Sequence, residues 1–204
     1  MKKILLYGDS NTWGHNPVDC SRLSRTWGEV VKEILPDFDI TIDGECGRAT
    51  LLGEGPKRGI ACFRERYFVK KHDFDLIVIM LGTNDLLKEI HYEPERTAEA
   101  LRQYIRETRV VYGDTKFLII SPILAREESL THPIFGELYS QKSVDDSKRL
   151  GEVIEKMTKE EDVYFMNAAD FAKASDIDGI HMTVEEHEKL GRAAAKKIKE
   201  IFSL

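Results

Sequence analysis

The chain has 204 residues, 42% of them apolar and 32% charged, a balance that fits one folded domain over 1–204 with a sizeable core and excludes a disordered polymer. Its 36 acidic and 30 basic residues give a formal charge of -6 with no basic tract, so nucleic acid is not an expected partner. Met1-Lys2-Lys3 leads straight into a short strand, no apolar run approaches the roughly 18 residues of a membrane span, and Cys20, Cys46 and Cys62 suit a reducing compartment, so a cytoplasmic protein off the membrane is expected.

The apolar run at 3–7 ends at Gly8 and predicts a first strand. Trp27, Val30, Val31, Ile34 and Leu35 fall at helical spacing, and Pro36 stops that helix. A short alternating strand is predicted over 39–42 and a helix over 56–71. The run at 76–81 is apolar throughout and Ile/Val-rich, which predicts a strand buried on both faces. A helix follows over 94–111, with Pro94 suited to its first turn. Residues 117–120 predict another buried strand, 138–159 a helix, and 163–166 a fifth strand. The last helix, 183–202, opens on Thr183 with Glu186 three residues on, the spacing of a capping box. Strands alternating with helices predict an α/β fold, a three-layer α/β/α arrangement around a parallel sheet. The irregular stretch from Ile123 to Gly136 is expected to form an active-site wall or an oligomer contact.

Ligands of open α/β sheets gather outside the carboxyl ends of the strands. Polar motifs fall at four such ends: Gly8-Asp9-Ser10, Gly44-Glu45-Cys46-Gly47-Arg48, Gly82-Thr83-Asn84-Asp85 and Asp178-Gly179-Ile180-His181. Ser10 offers a hydroxyl that becomes nucleophilic when a base takes its proton; His181 is the candidate base, and Asp178, three residues earlier, can fix its tautomer. Backbone N–H groups at Ser10 and Gly47 and the Asn84 amide are candidate donors to an oxyanion.

These four blocks, in this order, resemble the SGNH hydrolases, also called the GDSL esterase/lipase family, and the stretch 4–14, Arg25-Thr26-Trp27 and 178–183 resemble its bacterial arylesterase/acyltransferase group. The resemblance implies a flavodoxin-like, five-stranded parallel sheet. It implies a catalytic set of Ser10, His181 and Asp178, with Ser10, Gly47 and Asn84 as oxyanion donors. It further implies a small-molecule ester as substrate, no cofactor, and an assembly that in some members is a homo-oligomer.

Plainer readings compete at several positions. Ser10 can cap the segment after it, Asn84 can be a turn residue, and Asp9 and Asp85 read as structural acids. Asp176 competes with Asp178 as the partner of His181. His15, His72, His91, His132 and His187 are expected at the surface or in local bonds, and no set of them has metal-site spacing. Trp13, Trp27 and Phe135 are candidates for a pocket, although Trp27 falls on an apolar helix face. An α/β-hydrolase elbow reads G-x-S-x-G, whereas Thr12 holds the fifth position here. A non-catalytic flavodoxin-like binding module would use the same sheet edge without Ser10 or His181.

Overall fold

A computed structural model describes residues 1–51, 58–70 and 72–203. Five parallel strands, β1 (Lys2–Gly8), β2 (Phe38–Gly44), β3 (Leu76–Met80), β4 (Lys116–Ser121) and β5 (Tyr164–Asn167), form one sheet in the order β2-β1-β3-β4-β5. The helices are α1 (Ser10–Trp13), α2 (Trp27–Ile34), α3 (Gly59–Phe63), α4 (Pro94–Tyr112), α5 (Glu128–Thr131), α6 (Phe135–Leu138), α7 (Gln141–Glu160) and α8 (Val184–Ile201). A π-helical turn, Arg64–Phe68, continues α3, and a 3-10 turn, Thr83–Leu86, follows β3.

The unbroken apolar runs are explained by two covered faces. Ile4, Leu6, Val78, Met80, Leu118 and Ile120 point to one side, against Trp27 and Val31 of α2 and Leu190, Ala194 and Ile198 of α8. Leu5, Tyr7, Ile77, Ile79, Phe117 and Ile119 point to the other, against Phe63 of α3, Leu101 and Ile105 of α4 and Ile154 of α7. Successive strand residues face opposite sides, so a strand with helices over both faces is apolar at every position. Trp27 is therefore a core residue rather than a pocket wall.

Two helix boundaries differ from expectation for local reasons. The helix predicted over 138–159 starts later, because Ser140 caps α7: its Oγ accepts the Ser143 N–H at 3.3 Å while Ser143 Oγ accepts the Ser140 N–H at 3.0 Å. At α8 the expected capping box is half formed. Thr183 Oγ1 accepts the Glu186 N–H at 3.4 Å, but the Glu186 carboxylate takes the Lys173 N–H at 3.0 Å. The ends of the helix predicted over 56–71 fall at 56, 57 and 71, outside the described residues; its described part is α3 with the π turn.

From β1 the chain adds β2 on one side and returns to add β3 on the other. The carboxyl ends of β1 and β3 thus flank the point where strand order reverses, and the loops there border a crevice. No helix among the described residues is long and apolar enough to cross a membrane.

Candidate active site

The turn after β1 is built by Asp9. This buried carboxylate accepts the Asn11 N–H at 2.9 Å and caps α1, so Asp9, not Ser10, does the capping. That leaves the Ser10 hydroxyl to point elsewhere. Its Oγ lies 2.9 Å from His181 Nε2, and His181 Nδ1 lies 2.6 Å from Asp178 Oδ2. Ser10 is 6% exposed, His181 3% and Asp178 0%. Asp176 turns away to pair with Arg126, so of the two carboxylates it is Asp178 that faces His181.

The Asp178 loop is held by its own backbone. Asp178 Oδ1 accepts the N–H groups of Ile180 at 3.0 Å and His181 at 2.9 Å. Gly179, at φ 68°, makes the reversal; a Cβ there would also stand 2.4 Å from the Ser129 N. Burial alone would raise the Asp178 carboxyl, but the His181 ring and these two N–H groups hold it below the ordinary range. An ionised Asp178 can only accept, so Nδ1 carries the ring proton and Nε2 presents a lone pair to the Ser10 hydroxyl.

A second tie joins the Ser10 turn to the His181 loop. The buried Asn11 side chain donates from Nδ2 to the Ile180 carbonyl at 3.1 Å and accepts the Met182 N–H at Oδ1 at 3.0 Å. It thus grips the backbone on both sides of His181 from the turn that carries Ser10. In the sequence only an Asn after the serine hints at this tie.

The donor side of the crevice rests on a buried cation. Arg48, fully buried, donates to the carbonyls of Gly8 at 2.9 Å and Asp43 at 2.8 Å and to Asp43 Oδ1 at 2.9 Å, with its guanidinium 4.1 Å from the centre of the Tyr7 ring. It therefore locks the ends of β1 and β2 together. Gly47 immediately before it adopts φ 78°, a left-handed conformation that favours glycine. Asn84 Nδ2 donates to the Arg48 carbonyl at 3.1 Å, which seats the amide beside this loop. Asp85 accepts the Thr50 N–H and hydroxyl, each at 2.8 Å, and so bolts the Asn84 turn to the same segment. Burial pushes the carboxyls of Asp85 and Asp9 up to about 6 each.

Two of the histidines expected at the surface or in local bonds lie elsewhere. His187 is fully buried, and its Nδ1 accepts the Trp27 N–H at 3.2 Å from a helix distant in sequence. His15 packs against the His181 ring, tilted by 30° with 4.0 Å between centroids. Phe135 lies 5.2 Å from the His181 ring, and Trp13 6.5 Å from the His15 ring. The 123–136 stretch thus reaches His181 through Phe135. A cavity of about 550 Å³ lined by Glu152, Phe165, Asp170, Phe171 and Lys196 lies apart from these residues, between α7, β5 and α8.

The described geometry can transfer an acyl group: a hydroxyl faces a base whose proton is oriented by a carboxylate, beside a loop edge able to supply donors. Residues 6–189 match the model of the GDSL-like Lipase/Acylhydrolase family. The fold is similar to that of a carbohydrate acetylesterase family member from Sinorhizobium meliloti, with 26% identity, 100% coverage of both chains and a TM-score of 0.91. It is also similar to the inhibitor-bound aryl esterase of M. smegmatis, at 26% identity, 98% and 99% coverage and a TM-score of 0.89. A putative arylesterase from Agrobacterium tumefaciens str. C58 shares 29% identity over 98% of this chain and 100% of that one, with a TM-score of 0.83. No curated protein matches the sequence.

Proposed function

Because the chain belongs to the GDSL-like lipase/acylhydrolase family, and is thus an ester hydrolase, we propose that it cleaves short-chain aryl or acetyl esters through an acyl-enzyme on Ser10. The observation that carries this reading is the continuous Asp178–His181–Ser10 chain of hydrogen bonds, 2.6 and 2.9 Å long.

His181 Nε2 takes the Ser10 proton as Oγ attacks the ester carbonyl carbon, and the C=O electron pair moves onto oxygen. Asp178 holds the resulting imidazolium. The N–H groups of Ser10 and Gly47 and the Asn84 amide donate to the oxyanion. Collapse of the intermediate re-forms C=O and breaks the bond to the leaving alkoxide, which takes the proton from His181. The acyl-enzyme is then attacked by water or by an alcohol, whose proton returns through His181 to Ser10. Hydrolysis and acyl transfer share every step but this last. The aromatic wall of His15 and Phe135 over the base supports a short acyl chain or a flat leaving group.

A second reading, deacetylation of a carbohydrate, is favoured by the fold likeness to the Sinorhizobium protein named as a carbohydrate acetylesterase. Initial rates on p-nitrophenyl esters of rising chain length, on an acetylated sugar, and with and without added alcohol separate the readings. The account predicts the highest kcat/KM for acetyl and a steady decline with each added carbon pair. A rising series contradicts it, and turnover of the sugar acetate above that of the aryl acetate favours the deacetylase.

A further inference from the structure

His15 lies outside the Ser10–His181–Asp178 set. Its ring and that of Phe135 lie on the His181 imidazole at 4.0 and 5.2 Å between centroids. His15 and Phe135 are themselves 6.3 Å apart, so two aromatic rings flank His181. His15 is held in place by its backbone, with its N–H donated to the Ser10 carbonyl at 3.0 Å and an antiparallel bridge to Arg22. Its Nε2 is buried and accepts or donates no hydrogen bond among the described residues.

The base turns into a cation when it takes the Ser10 proton. An aromatic face at this distance attracts a cation, more strongly where water is excluded. We propose that His15 is a positioning residue whose ring, packed against His181, stabilises the His181 imidazolium and so tunes the basicity of the catalytic imidazole. The inference rests on the reading of His181 as the base.

The ring can do this only while neutral. Burial, and after it the nearby His181 charge, lower His15 to about 4, so it is uncharged near neutral pH. Protonated, the same ring would repel the imidazolium. The other ionisable groups that act on these two rings are Asp178 from the same loop, Asp9 from the serine turn, His187 from α8 and Asp19 from the segment after α1. They are the same in every variant below, so differences between variants report on position 15.

The test compares His15→Phe and His15→Leu, which both fill the space but differ in having an aromatic face. The readout is the pH profile of kcat/KM on p-nitrophenyl acetate, with His181→Ala as a control. The proposal predicts that His15→Phe keeps the midpoint of the acid limb. His15→Leu should move it down by roughly half a pH unit and lower kcat about threefold, the scale of one lost cation–ring contact. An acid limb in His15→Leu that superimposes on that of the unchanged protein, or equal shifts in both variants, overturns it. If His181→Ala keeps its activity, the reading of His181 as base fails instead; if that control is inactive while His15→Leu is unshifted, only this inference fails.

Discussion

Replacing Asp178 with Asn probes the orientation of the base with almost no change in shape. Asp178 Oδ1 accepts two backbone N–H groups, at 3.0 and 2.9 Å, and Oδ2 meets His181 Nδ1 at 2.6 Å. An asparagine can keep its single oxygen on the two N–H groups, which preserves the loop. Its NH₂ then faces Nδ1, and two donors cannot share that contact. The imidazole escapes by moving its proton to Nε2, where it points at Ser10 and can no longer accept the hydroxyl proton. For a triad of this design the change costs about 10⁴ in kcat, close to 5 kcal/mol of transition-state stabilisation. Stopped or continuous assay of p-nitrophenyl acetate turnover measures it, with KM expected to stay within a few-fold because no substrate contact is removed. Turnover within tenfold of the unchanged protein would refute the assignment of Asp178 as the orienting acid.

Three further substitutions report on separate parts of the site. Asn84→Ala should lower kcat by roughly 10²–10³ if the amide donates to the oxyanion, and an unchanged rate in the same assay removes it from that role. Arg48→Met should destabilise the fold by about 3 kcal/mol and lower Tm by about 10 °C, since two buried carbonyls lose their donor while Asp43 keeps Arg66 at 2.7 Å and Tyr67 at 2.6 Å; a thermal melt shifted by less than 2 °C would contradict the bracing role. Asp85 has a folded value of about 6, above its ordinary 3.8, so its contribution to stability is fully present below the lower value and is lost as pH rises through the upper one. Asp85→Asn lacks that loss, so the Tm gap between it and the unchanged protein should narrow from pH 5 to pH 7, and a gap that widens would reverse the sign of the argument.

Much of this was readable from local pattern. Strands such as 76–81 and 117–120 announce themselves because residues facing two covered sheet surfaces must all be apolar, and every predicted strand lies within two residues of the observed one. The parts of the site were readable because each falls at a strand end or in one short loop: Ser10 after β1, Asn84 after β3, and Asp178 three residues before His181. Contacts chosen across long sequence distances were not readable. Nothing in an isolated Arg48 says that it will be buried on Gly8, Asp43 and Tyr7, and Asn11 reads as a turn residue until the 180–182 backbone is laid against it. His15 looked like one of several surface histidines because the ring it packs against is far along the chain. The Glu186 cap failed for a similar reason, since the distant Lys173 N–H competed successfully for its carboxylate.

The central claim is that Ser10 is the nucleophile, placed 2.9 Å from His181 Nε2. The most direct measurement is peptide mapping of the protein after reaction with a fluorophosphonate, alongside the His181→Ala variant. The account predicts a single stoichiometric adduct on Ser10 that is lost when His181 is replaced. An adduct on another residue, or a Ser10 that stays unmodified in protein that turns over esters, would contradict it.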